Sequence, residues 1–223
     1  MSFAEMFEEG GVMIWPILVC GIFGVSVTLE RLFYVFLRAS VHSEAFMTRV
    51  QRHVLDGNID AAVRLCSSEP TALLPRVLKA GLLHAHRTED EMTKAVEEAT
   101  RANTPLLGAR IPYLPMIANA ATLLGLLGTI QGLILSFDAV AAASAETRSS
   151  ELSHGIAVAM YTTFLGLMVA IPVLVSHGVI SARANRTLDD IDHYGLKLVN
   201  LLVAVRSREP SRRDGAPLVP AQG

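Results

Sequence analysis

The residues with chemical potential in this sequence are hydroxyls set among apolar neighbours. Thr122, Thr129 and Ser136 fall on one face of a helix with Asn119, Gly125 and Gly132 when each residue advances by 100°, leaving Leu and Ile for the other side. Thr162 and Thr163 gather in the same way on a second helix, with Gly155, Ala159, Gly166, Ala170 and His177. Two readings fit these stripes. In the first, small side chains let helix backbones approach, and Gly128-xxx-Gly132 and Gly166-xxx-Ala170 are packing pairs. In the second, the stripes line a shared polar interior, where the hydroxyls of Thr122, Thr129, Thr162 and Thr163 hold water or an ionisable side chain from another helix.

Other chemistries find little support. No phosphate-binding loop and no H-E-x-x-H pair occurs, and the spacing of Gly125, Gly128 and Gly132 is wrong for a dinucleotide fingerprint. His84 and His86 are two positions apart and diverge on a helix, so they do not read as a metal site. Cys20 and Cys66 have no further Cys or His at ligand spacing and read as small buried side chains. No catalytic residue, metal ligand or cofactor is assigned, and an enzyme is not expected. With 19 Lys and Arg against 21 Asp and Glu, the net charge of -2 gives no basic excess for nucleic acid.

The elements that must position the hydroxyls emerge from where charge is missing. The 223 residues are 51% hydrophobic and only 18% charged, with a mean hydropathy of +0.41, a balance typical of a membrane protein. Three stretches lack Asp, Glu, Lys and Arg: Gly10–Leu29 (20 residues), Ile111–Phe137 (27) and Leu152–Ala182 (31). About 20 apolar residues cross a bilayer as a helix, so each can span one. The first follows Glu5, Glu8 and Glu9 with no Lys or Arg before Arg31, and is expected to remain as an anchor rather than act as a cleaved signal. No titratable Asp, Glu, Lys or Arg lies within any of the three. An ion path here therefore needs a carrier supplied from outside the chain.

The flanking basic residues set an orientation. Arg31, Arg38, Arg49, Lys94, Arg101, Arg110, Arg183, Arg186 and Lys197 lie on one side and only Arg148 on the other, which places the N-terminus outside and the C-terminus in the cytoplasm. The expected order is an outer segment 1–11, transmembrane helix 1 at 12–37 and a cytoplasmic helical region at 38–110. Transmembrane helix 2 follows at 111–137, an outer loop at 138–153, transmembrane helix 3 at 154–182, a cytoplasmic C-terminal helix at 183–208 and a disordered tail at 209–223. In the cytoplasmic region, turn chemistry at Gly57-Asn58, Pro70, Gly81 and Thr88-Glu89-Asp90-Glu91 divides three or four helices, the last sequence fitting a capping box. No alternating run suggests a strand. After helix 3, Ala184, Leu188, Ile191, Gly195, Leu198, Leu202 and Val205 form a heptad stripe that needs a partner, either the chain's own helices or another subunit.

The fold class is thus an all-α integral membrane protein with three transmembrane helices extended by cytoplasmic helices. Leu123-Leu124-Gly125-Leu126-Leu127-Gly128-Thr129-Ile130-Gln131-Gly132 with Phe137, then Gly155-Ile156-Ala157 and Thr163-Phe164-Leu165-Gly166-Leu167-Met168-Val169-Ala170-Ile171-Pro172, resemble the MotA/TolQ/ExbB proton channel family. Asp56-Gly57-Asn58-Ile59-Asp60-Ala61-Ala62 and Leu78-Lys79-Ala80-Gly81-Leu82 resemble the segment that this family carries between its first two helices. The resemblance implies a TolQ/ExbB-like subunit of the bacterial inner membrane, assembling as a homo-pentamer around two copies of a single-span ExbD/TolR/MotB-like partner that brings a membrane aspartate. It implies a proton-driven motor working on the cell envelope, in uptake, envelope maintenance or gliding motility. It matches Thr129 and Thr163 to pore-facing threonines. From the stripes themselves, Thr122 and Thr162 join them as pore-lining candidates, and Gly125, Gly128, Gly132, Ala159, Gly166 and Ala170 are the helix-packing residues. Two positions depart from the family pattern: Val158 stands where ExbB and TolQ usually carry glutamate, and Thr122 where a proline commonly precedes Leu-Leu-Gly.

Overall fold

A computed structural model describes residues 12–38 and 42–213. The expected outer segment 1–11 and the end of the tail lie outside the described residues. Among those described, all regular structure is helical: α1 (Ile14–Phe33), a π-helical turn (Tyr34–Arg38), α2 (Ser43–Leu55), α3 (Ile59–Ser67), α4 (Leu73–Leu83), α5 (Glu89–Gly108), α6 (Tyr113–Ala142) and α7 (Arg148–Arg213). The chain forms two compact units, one from the residues up to Phe33 with Ala109–Ala182, the other from Tyr34–Gly108 with the residues from Arg183 on.

The first unit holds α1, α6 and the leading part of α7. Three helices of the chain are long and apolar enough to cross a membrane. Large apolar side chains such as Leu123, Ile130, Phe137, Met160 and Val175 are more than half exposed, a surface suited to lipid or other apolar helices and not to water. Inside the unit, Ile14 and Ile17 of α1 bury against Leu165, Leu124 and Val169. Pro112 occupies the N-cap of α6 and Pro115 its first turn, where a missing N–H costs no intrahelical bond. Arg110 precedes them with a φ of 62°, the one non-glycine residue among those described in the left-handed region. Its guanidinium pairs with Glu30, which also accepts a 2.9 Å hydrogen bond from the 6% exposed Arg31.

Two boundaries differ from the sequence expectation here. α6 continues through Asp138 to Ala142 and α7 begins at Arg148, so the loop expected at 138–153 shrinks to 143–147. The alanine-rich stretch from Ala139 to Ala142 is strongly helix-forming and one exposed aspartate does not break it. The Ser144 carbonyl then receives the N–H groups of Thr147 and Arg148, starting the next helix at once. The second difference concerns the end of α7. The 66-residue helix runs without interruption to Arg213, joining the spans expected at 154–182 and 183–208 and extending into the tail expected to be disordered from 209. No glycine cap or helix-breaking pair stands at the boundary near 183, so nothing in the chain stops the helix there.

In the second unit, local chemistry sets each end. Gly57 takes a φ of 75°, and Asn58 caps α3 by accepting the Ala61 N–H at 3.0 Å. Thr88 and Glu91 form the reciprocal capping box: the Thr88 N–H donates to Glu91 Oε2 (3.1 Å) and the Glu91 N–H to Thr88 Oγ1 (3.3 Å). Gly81, expected at a turn, lies inside α4. The reason is close approach: a Cβ there would stand 2.9 Å from Val96 Cγ2 and 3.2 Å from Leu198 Cδ2. The heptad stripe of α7 is covered by the chain's own helices, with Gly195 against Val96 and Leu198 against Gly81. Cys66 is buried, which pushes its thiol up to about 12, while Cys20 is only half-buried.

The capping box gives a pH-dependent expectation. Hydrogen bonds from Thr88 hold the Glu91 carboxyl below its ordinary value, so its stabilisation is present at neutral pH and fades as pH falls below about 4.5 and through the lowered value. Thr88→Ala should lower stability by about 1 kcal/mol. Glu91→Gln should flatten the acid limb of thermal stability measured from pH 7 downward, and an unchanged limb would remove the carboxylate from this role.

Candidate functional site

α6 and α7 meet along a ladder of small residues in antiparallel register. A Cβ on Gly125 would lie 3.1 Å from the Thr162 carbonyl oxygen, 3.2 Å from Thr163 Cα and 3.3 Å from Gly166 Cα. On Gly128 it would come within 2.6 Å of the Thr162 side chain, and on Gly132 within 3.0 Å of Ala159 Cα. On Gly166 it would stand 2.7 Å from the Ala121 carbonyl oxygen. The ladder closes where Gly155 faces Ser136, with no room for a Cβ. Most of these neighbours are backbone atoms, so only glycine lets the two helices come this close.

The hydroxyls divide between the seam and its margins. Thr162 is 1% exposed, and its Oγ1 donates to the Ala159 carbonyl at 2.8 Å, with the Gly125 carbonyl at 3.4 Å. Thr163, half-buried, donates across the helices to the Gly125 carbonyl at 3.2 Å. Thr129 is half-buried and returns its hydroxyl to Leu126 O at 2.6 Å, whereas Thr122 is exposed and bonds Ala118 O at 3.0 Å. Ser136, 2% exposed, bonds Gly132 O at 2.7 Å. Thr162, expected among the pore-lining residues, is therefore enclosed between its own helices. Adjacent residues on a helix point 100° apart, so when Thr162 faces the seam, Thr163 sits at its edge.

The ladder brings together Gly125, Gly128, Gly132, Ala159 and Gly166 with Thr162 and Thr163. Ala170 is buried on the same helix at 2% exposure, while Thr122 and Thr129 stand on α6 outside the closest contacts. Ala121, Ser136 and Gly155 also belong to the ladder. The last two were visible as members of the small-polar stripes, but their direct pairing depends on a crossing geometry that spacing within one helix does not carry. Among the described residues, no three His, Cys, Asp or Glu side chains converge as metal ligands.

The model of the MotA/TolQ/ExbB proton channel family matches residues 69–193, from just before α4 through α6 and into α7 beyond the seam. The biopolymer transport protein exbB1 of Vibrio cholerae is 32% identical over 208 residues, covering 90% of this chain and 88% of that protein. A putative biopolymer transport protein ExbB homolog of Methanothermobacter thermautotrophicus is 27% identical over 188 residues, or 84% of this chain and 66% of that protein. The Tol-Pal system protein TolQ of Haemophilus influenzae is 30% identical over 101 residues, 45% of this chain and 44% of that protein. A close-packed pair of apolar helices edged by threonines, in a three-span helical chain similar to exbB1 over most of its length and matched by the family model over more than half, makes this chain a member of the MotA/TolQ/ExbB proton channel family.

Proposed function

We propose that this chain is the channel-forming subunit of an ion-driven motor in the bacterial inner membrane, converting ion-motive force into work on the cell envelope. One observation carries the reading: the spans of α6 and α7 hold hydroxyls but no Asp, Glu, Lys or Arg, so the titrating group must come from a second protein. That partner is a single-span ExbD/TolR/MotB-like protein with a membrane aspartate, present in two copies within a pentamer of this chain. The similarity to exbB1 and TolQ supports the partner class. Thr129, Thr163 and Thr122 edge the path, and the Gly–Thr seam holds its wall. The excess of basic flanking residues beside Arg31, Arg110 and Arg183 supports a cytoplasmic C-terminus. One charge crossing 100 mV releases about 2.3 kcal/mol, a useful step for mechanical work.

The test is composition. Tagged chain extracted gently from native membranes and examined by native mass spectrometry is expected to carry an Asp-bearing single-span protein in a 5:2 ratio. A homo-oligomer without such a protein, reproduced across mild detergents, would favour a non-conducting scaffold whose small-residue seam serves packing alone. Cysteine labelling of the C-terminal region with impermeant reagents would fix the orientation.

A further inference from the structure

Thr28 of α1 departs from the commonest pattern among the helical threonines. The hydroxyls of Thr48, Thr93, Thr100, Thr104, Thr122 and Thr187 each return to the carbonyl four residues back. The Thr28 hydroxyl is buried without any hydrogen-bond partner among the described residues. A buried donor left dry in an apolar interior is costly, and such groups are regularly satisfied by bound water.

The helix register shows what lies opposite. A Cβ on Gly21 would stand 3.1 Å from Val169 Cγ2, and one on Gly24 would stand 3.1 Å from Val173 Cγ2. α1 and α7 therefore advance in the same direction turn by turn, and continuing that register by one turn sets Thr28 at the level of Ser176 and His177. Both α7 residues are half-buried. Val27, Arg31, Val173 and Ile180, neighbours along the same two helices, are buried. Three residues with hydrogen-bonding side chains thus lie at one level of the two helices.

We propose that this α1–α7 boundary holds one buried water molecule, bound between the Thr28 hydroxyl and the His177 imidazole with the Ser176 hydroxyl as a third partner. The water ties α1 to α7 and is independent of the ion path along α6 and α7. The test uses the complete chain in lipid nanodiscs. Thr28→Val, which keeps the shape and removes the hydroxyl, is expected to shift the unfolding equilibrium towards the unfolded state by about three- to tenfold, the scale of an interhelical polar contact in a membrane. Thr28→Ser should retain wild-type stability, and the Thr28→Val effect should vanish in a His177→Phe background. Water-edited solid-state NMR should show magnetisation reaching Thr28 and His177 but not Val27 or Ile180. Greater stability of Thr28→Val than wild type, the response of a dry orphaned hydroxyl, would overturn the proposal. So would a Thr28→Val effect unchanged by His177→Phe. If the double variant does not fold, water transfer in the wild type decides, its presence supporting the bound water and its absence overturning it.

Discussion

Gly166→Leu is expected to force α6 and α7 apart and abolish a stable subunit. Even the first atom of a side chain at this position would stand 2.7 Å from the Ala121 carbonyl oxygen and 3.1 Å from Gly125 Cα. Those neighbours belong to the backbone of α6 and cannot rotate away, so relief requires moving a whole helix. Overpacking of this kind commonly costs about 1–3 kcal/mol. Here the separation would also break the Thr163 bond to Gly125 O and open the ladder down to Gly155, so the loss should reach or pass the top of that range. Thermal unfolding in detergent should show a large drop in Tm, and size-exclusion chromatography should show loss of the proposed oligomer. Gly128→Leu offers a comparison, because its nearest neighbour is the Thr162 side chain and some rotation there can absorb part of the strain. Wild-type Tm and oligomer size for Gly166→Leu would remove the seam from its structural role.

The second large effect separates ion movement from assembly. Thr163→Val and Thr129→Val replace a hydroxyl with a methyl of nearly equal volume at half-buried positions beside the seam. Neither side chain fills the tightest contacts, so the subunit should survive, Thr163→Val with a small loss of stability because it gives up the bond to the Gly125 carbonyl. On the proposed function, removing a hydroxyl that solvates a passing ion or a partner's carboxyl raises the barrier to transfer, and an increase of about 1.4 kcal/mol slows it tenfold. Each variant, reconstituted with the co-purified partner in proteoliposomes, should show roughly that loss of ion flux at unchanged stoichiometry. Thr162→Val makes the contrast: its hydroxyl is enclosed between its own helices, so its first effect should be on stability. Equal flux in Thr163→Val and wild type would take the lining role away from Thr163.

Much of this architecture is legible in the sequence because a bilayer imposes a simple rule. Charge-free stretches long enough to span it are rare, and three of them determine three helices. Capping at Asn58 and Thr88 is equally local, since the side chain and the N–H it serves lie within three residues. What stays hidden depends on contact between segments distant in sequence. Gly81 looks like a breaker in isolation, and only the nearness of Val96 and Leu198 explains a glycine within a helix. Thr162 and Thr163 both belong to one small-polar stripe, and only the position of α6 shows which of them it encloses. The orphaned hydroxyl of Thr28 is likewise invisible without the helix that faces it.

The second unit is discontinuous in the chain, and this bears on the order in which the protein can be made. α4 and α5 bury Gly81 and Val96 against Leu198 and Gly195, residues about a hundred positions later that lie beyond two membrane crossings. A ribosome adding about 5–20 residues per second reaches them many seconds after α4 has emerged. During that interval the segment from Ser43 to Gly108 has its helices but not the surface that completes its interior. Nascent-chain interactions with holdase chaperones should therefore concentrate on this segment and end when α7 is synthesised, and a chain truncated before Arg183 should remain a chaperone client and a protease target.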